Sequence, residues 1–192
     1  MGKQIWRPGN MVYPLPAVMV TSVDSDGKPN IMTAAWTGTV CSDPAMAYVS
    51  IRKERYSHGL ILRSGEYVIN LTNEALVAAA DYCGVKSGRD TDKFARMKLT
   101  AAPASQVSAP LIEESPVNIE CRVREVREYG SHDMFVAEVL AVHADEEYMD
   151  EKGRFCLDKA GLVAYSHGTY YCLGKPLGTF GFSVKKQGSK KK

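Results

Sequence analysis

The chain has 192 residues, 45% hydrophobic and 24% charged, which suits one domain, 1–184, with a sizeable core and no disulfide staples. No apolar run has the length of a membrane helix, and the basic start Met1-Gly2-Lys3-Gln4 has no apolar stretch behind it, so a soluble, cytoplasmic protein without a membrane partner is expected. The formal charge of +2 owes five lysines to residues 185–192; without them the body carries −3, which argues against a nucleic-acid partner.

Strand signals fill the first third. Residues 17–23 are apolar and β-branched and end at the turn Asp24-Ser25-Asp26-Gly27. Residues 30–40, rich in Thr, Ala and Val, predict a further strand, and 45–51 another after Asp43-Pro44. A short helix over 56–64 stops at Gly65, and 67–71 returns to strand. The next helix, 74–83, has Asn73 as N-cap and Gly84 as its C′ residue; a third, 92–98, starts at Asp92. Glu113 and Glu114 follow Pro110 in a polar loop. Residues 117–126 alternate apolar Val117, Ile119, Cys121 and Val123 with charged Glu120, Arg122 and Arg124, the pattern of a half-buried strand. Residues 134–143 form its antiparallel neighbour through Tyr129-Gly130-Ser131-His132. Mostly antiparallel strands with a few short helices predict a mainly β (α+β) barrel, and the tail 185–192 a flexible, solvated end.

The usual nucleotide patterns are missing: there is no Gly-x-Gly-x-x-Gly, no Walker loop and no nucleophile elbow. His58, His132, His143 and His167 lack metal-ligand spacing, and the five cysteines form no Cys-x-x-Cys pair, so no metal is expected. Cys41 and Cys83 invite a redox role. Cys83 lies near a helix C-terminus, the wrong end for lowering a thiol pKa, and packing is the better reading. His132 sits in a hairpin turn, open either to solvent or to a substrate pocket.

One constellation points to a ligand. Ser50-Ile51-Arg52-Lys53-Glu54-Arg55-Tyr56-Ser57 runs from a strand into a helix start, so three cations and a hydroxyl sit where backbone N–H groups favour an anion. The same residues would also serve as a solvated charged turn. Before them, Asn30-Ile31-Met32-Thr33-Ala34-Ala35-Trp36-Thr37 sets small side chains, hydroxyls and one large aromatic close together. Such a stretch lets a flat ring approach the backbone, and it also suits an ordinary core.

The order of these segments, with Pro14-Leu15-Pro16, Ser42-Asp43-Pro44, Gly65-Glu66-Tyr67-Val68-Ile69-Asn70, Asp92-Lys93-Phe94 and Gly178-Thr179-Phe180-Gly181, resembles the flavoredoxin branch of the flavin-reductase-like proteins over nearly the whole chain. The resemblance implies an FMN-binding split β-barrel, a homodimer with FMN at the subunit interface. It would place Asn30, Met32, Thr33, Ala34, Ala35 and Trp36 by the ring and ribityl chain. Ser50, Ile51, Arg52, Lys53, Tyr56 and Ser57 would lie by ribityl and phosphate groups, and Cys83, Ser87 and Lys93 in a loop closing over the cofactor. Tyr165 and His167 would reach the partner's flavin. No catalytic side chain is then required, since the flavin carries the chemistry. The implied activity is an FMN-dependent oxidoreductase fed by NAD(P)H; the alternative is an electron-transfer protein that keeps its FMN and serves a redox protein partner. A different class, a barrel holding another planar ligand such as haem, or none, fits the hydroxyls and cations less well.

Overall fold

The computed structural model describes residues 2–184, so the tail 185–192 lies outside the described residues. Asp24 caps the first hairpin, its carboxylate accepting from the N–H groups of Asp26 (2.9 Å) and Lys28 (2.8 Å), between β2 (Val18–Val23) and β3 (Pro29–Ala34). They follow the two-residue β1 (Leu15–Pro16). Next come β4 (Thr37–Ser42), β5 (Ala45–Arg52), α1 (Tyr56–Ser64), β6 (Glu66–Leu71), α2 (Val77–Val85) and α3 (Lys93–Met97). Short β7 (Ala101–Ala102) and β8 (Leu111–Ile112) precede the long hairpin of β9 (Val117–Tyr129) and β10 (His132–Ala144). The pair β11 (Val163–Ser166) and β12 (Thr169–Cys172) closes a small sheet with β1.

Seven strands form one antiparallel sheet in the order β3-β2-β6-β9-β10-β5-β4. Its two edge strands, β3 and β4, are consecutive in sequence and joined only by Ala35-Trp36. Such a link reaches at most about 11 Å, so the sheet must curl until its edges approach. No ladder joins β3 to β4 among the described residues, which leaves the barrel split along one seam. The run 30–40, expected as one strand, is therefore broken at Ala35-Trp36, because its two halves belong to opposite edges.

Alternation along each strand builds two cores. Val18, Val20, Val49, Ile51, Tyr67 and Phe135 point into the barrel with Ile61 of α1. Met19 and Ile31 point outward under Ala80 and Cys83 of α2 and Phe94 of α3. With both faces covered, β2 is buried over five successive residues. Each large apolar side chain so enclosed contributes about 1.5–3 kcal/mol.

The helix ends follow local chemistry. Gly65 takes the left-handed φ of 69° and its N–H returns to the Ile61 carbonyl, ending α1. Asn73 accepts from the Leu76 N–H, as expected, but a 3-10 turn over Glu74–Leu76 precedes α2, and Gly84 lies inside α2 rather than after it. Glu120, read as the charged side of a half-buried strand, is wholly buried. The loop before β8 folds over that face and gives its carboxylate the N–H groups of Ser105 (2.8 Å), Gln106 (2.6 Å) and Val107 (3.1 Å), while His143 Nε2 lies at 2.5 Å. Burial opposes ionisation there, yet these partners prevail and bring the Glu120 pKa down to about 2. No helix among the described residues is long and apolar enough to cross a membrane.

Candidate functional site

The pairing of β5 with β10 decides where the cations of the 52–55 turn go. Ile51 stands opposite Asp133 and Arg52 opposite His132. Asp133 is buried and bonds His58 Nε2 at 2.7 Å, with Lys53 Nζ at 3.3 Å from its other oxygen; Lys53 also donates to Glu128 at 2.7 Å. Burial pushes the Asp133 pKa up, but His58 and Lys53 outweigh it and hold the group below its ordinary value. Lys53 is thus engaged on the β9–β10 side. Arg55 instead crosses to α2, donating to the Gly84 carbonyl at 3.0 Å.

Between the start of α1, the end of α2 and the loop that follows lies a cavity of about 410 Å³. Its closed end is buried: Ser57 and Cys83 are enclosed, and Lys93 is 5% exposed. The Lys93 ammonium donates to the carbonyls of Ile31 (2.7 Å) and Cys83 (2.9 Å), which tie it between β3 and α2. An ammonium has three donors, so one remains for the cavity it lines. Desolvation brings the Lys93 pKa down to about 8. Ser57 Oγ accepts from Asn30 Nδ2 at 2.7 Å, which leaves its own O–H to donate into the cavity. Arg52, Arg55, Lys86 and Arg89 complete the cationic wall, with the Arg89 guanidinium 5.5 Å from the Tyr56 ring centre. Burial raises the Cys83 thiol to about 11, so it stays protonated and packs.

Gly88 makes this arrangement possible. A Cβ there would lie 1.9 Å from Asn30 Oδ1 and 3.1 Å from the Tyr56 ring, so only glycine lets the loop rest on Asn30. That buried Oδ1 has no hydrogen-bond partner of its own.

Of the residues singled out from sequence, Met32, Thr33, Arg52, Tyr56, Ser57, Cys83, Ser87 and Lys93 line this cavity. Asn30 stands behind Ser57. Thr33 also borders a second cavity of about 280 Å³, shared through Gly84 and Val85 and walled by Ala17, Ala35, Tyr165 and Tyr170. Tyr165 therefore lies in a cavity of its own chain, while His167 packs on Tyr13 with ring centres 4.6 Å apart. Ala34 and Ile51 are in the barrel core, and Ser50, half-buried, donates its N–H to the Trp36 carbonyl at 2.8 Å. Trp36 lies elsewhere again, against His132 (ring centres 4.4 Å apart) and lining another cavity with residues 9–13. Sequence reasoning counted Arg55 among the three cations of 50–57 without making it a contact, and it did not single out Lys86, Gly88 or Arg89. The basic residues around Gly88 were the available signal.

Comparison with known proteins matches the geometry to a family. The description "Flavin reductase like domain" fits residues 10–173. The flavoredoxin of Desulfovibrio vulgaris (Miyazaki F) is 33% identical, with 96% of this chain and 100% of that chain superposed at a TM-score of 0.89. A Shewanella frigidimarina structure with a split barrel domain shares the fold at 21% identity, over 88% of this chain and 87% of that one, with a TM-score of 0.80. The NADH:riboflavin 5′-phosphate oxidoreductase of Streptomyces pristinaespiralis is 23% identical over 76% of this chain and 80% of its own length. A split, antiparallel barrel with a cavity walled by cations thus belongs to a known group: the chain is a member of the flavin-reductase-like domain family, akin to flavoredoxin.

Proposed function

We propose that this protein is an FMN-dependent oxidoreductase moving hydride or electrons from NAD(P)H through FMN to an acceptor. When bound, the flavin supplies the redox chemistry, and the protein supplies binding, orientation and electrostatics. The observation that carries this reading is the cavity between α1 and α2, where five cations and the Ser57 hydroxyl converge beside a helix start. That donor set fits a phosphate monoester, whose charge near neutrality is about −1.5 to −2. Arg52, Arg55, Arg89 and Lys93 would hold the phosphate with Ser57, and Asn30 would fix the Ser57 hydroxyl. Thr33, Gly84 and Val85 border both this cavity and the second one, whose alanine and glycine walls suit a flat ring. A homodimer would cover the apolar side chains that stand exposed near both ends, among them Trp6, Leu177 and Phe180. A reducing cytoplasm suits its free cysteines.

Purified protein with added FMN should oxidise NADH or NADPH faster than FMN alone. No acceleration with either nucleotide refutes the reductase activity, and a failure to take up FMN, followed by its visible spectrum, refutes the flavin site. A second reading, an electron carrier that retains FMN for a protein partner, draws on the likeness to flavoredoxin along the whole chain. Tight FMN retention without nicotinamide oxidation would favour it.

A further inference from the structure

We infer that Glu54 makes this site selective for a flavin ending in a single phosphate and disfavours one that continues into a second phosphate, as FAD does. The inference rests on reading the cavity between α1 and α2 as the FMN phosphate site.

The cavity has a closed end and a rim. Lys93, Ser57 and Cys83 at the closed end are at most 5% exposed. At the rim the side chains of Arg52 and Glu54 are 53% and 65% exposed. With the ring side toward the second cavity, a chain continuing beyond a phosphate held by Ser57 and Lys93 would leave through the rim, where exposed Arg55, Lys86 and Arg89 stand with Arg52 and Glu54. Every other charged side chain lining the cavity among the described residues is a cation, and Glu54 is the one carboxylate. It lies in the turn that leads into α1, next to the helix start that favours the first phosphate.

The Arg52–Glu54 pair is long, at 3.4 Å, and solvent-exposed, so it is weak and readily exchanged. A phosphate monoester would draw Arg52 to itself and leave Glu54 facing outward without its cation. The hydrogen bond from its own backbone N–H, with Arg52 and Arg55 nearby, holds the Glu54 carboxyl below its ordinary value, so it stays charged at neutral pH. A monoester ends before this carboxylate. A diphosphate would set its second anionic group beside it. Two like charges about 5 Å apart in a largely aqueous rim weaken binding by about five- to tenfold.

The test titrates riboflavin, FMN and FAD into wild-type protein and Glu54→Gln, following flavin fluorescence. Because Glu54 is exposed, the substitution leaves the fold intact, which thermal melting checks. The ratio of the FAD to the FMN dissociation constant should fall about fivefold or more in Glu54→Gln, while riboflavin affinity stays the same. The gap between the two proteins should close in about 1 M salt, where screening acts over about 3 Å. If FMN binds and the ratio is unchanged, or FMN and FAD gain equally, Glu54 is not the discriminator and the FMN site itself stands. If neither protein binds FMN, the site reading fails and this inference with it.

Discussion

Gly88→Ala is a one-methyl perturbation of the site whose effect follows from the geometry. Gly88 does not have a positive φ, so alanine suits its backbone and the substitution acts through contact alone. The new Cβ would fall 1.9 Å from Asn30 Oδ1, when Cβ contacts essentially never come closer than 3.0 Å, so one side must yield by at least about 1 Å. Asn30 is 6% exposed and bonded to Ser57 at 2.7 Å, and moving it breaks that bond at a cost of about 1–2 kcal/mol. Moving the loop instead draws Ser87 and Arg89 away from the cavity. Either way the phosphate loses a positioned partner, and FMN affinity should fall by about tenfold, which corresponds to about 1.4 kcal/mol. Isothermal titration with FMN measures this, and riboflavin, lacking the phosphate, should lose less than threefold. An FMN affinity equal to that of the wild type, in a protein that melts normally, would show that the loop does not rest on Asn30 as described.

Lys93 gives the site a pH dependence. Its folded pKa is lowered to about 8, so the cation facing the cavity is lost as pH rises through that value; FMN affinity should decline across the same range, and Lys93→Met should be about tenfold weaker at neutral pH and flat above it. The partition of the 52–55 turn can be tested by comparing Lys53→Met, expected to keep FMN affinity within about twofold, with Arg55→Met, expected to lose about tenfold. Glu120 concerns stability. Its pKa is depressed from 4.5 to about 2 on folding, so its contribution is present above about 4.5 and is lost as pH falls toward about 2. The gap amounts to at most about 3 kcal/mol, and to about 2 once screening by water at the covering loop is allowed for. In urea melts, Glu120→Gln should therefore be less stable than wild type at pH 7 by about this amount, and more than half of the difference should vanish by pH 3. An undiminished difference would contradict the assignment.

How far the sequence could be read depended on whether the deciding contact was local. The helix over 56–64 and its Gly65 end were legible because its boundaries are set by adjacent residues. The β9–β10 hairpin was legible from alternation and a Gly-Ser turn. Glu120 was misread because the groups that satisfy it come from a separate loop, residues 105–107, that no strand periodicity reveals. The charged turn held the same difficulty. Nothing within 52–55 says which cations face the cavity; Asp133, brought opposite Ile51 by strand pairing, engages Lys53 and leaves that role to Arg52 and Arg55. The small sheet of β1, β11 and β12 escaped because a two-residue strand carries no pattern of its own.

The seam between β3 and β4 gives the barrel the character of a clasp. Thr33 stands on one jaw, and Arg52, at the end of the strand beside β4, on the other; both line the same cavity. A ligand gripped there works as a rivet, resisting the spreading of jaws that the backbone joins only through Ala35-Trp36. Amide hydrogen exchange should therefore slow on ligand binding most at β3 and β4, the outer strands. The interior pair β6 and β9, already laddered on both sides, should change least.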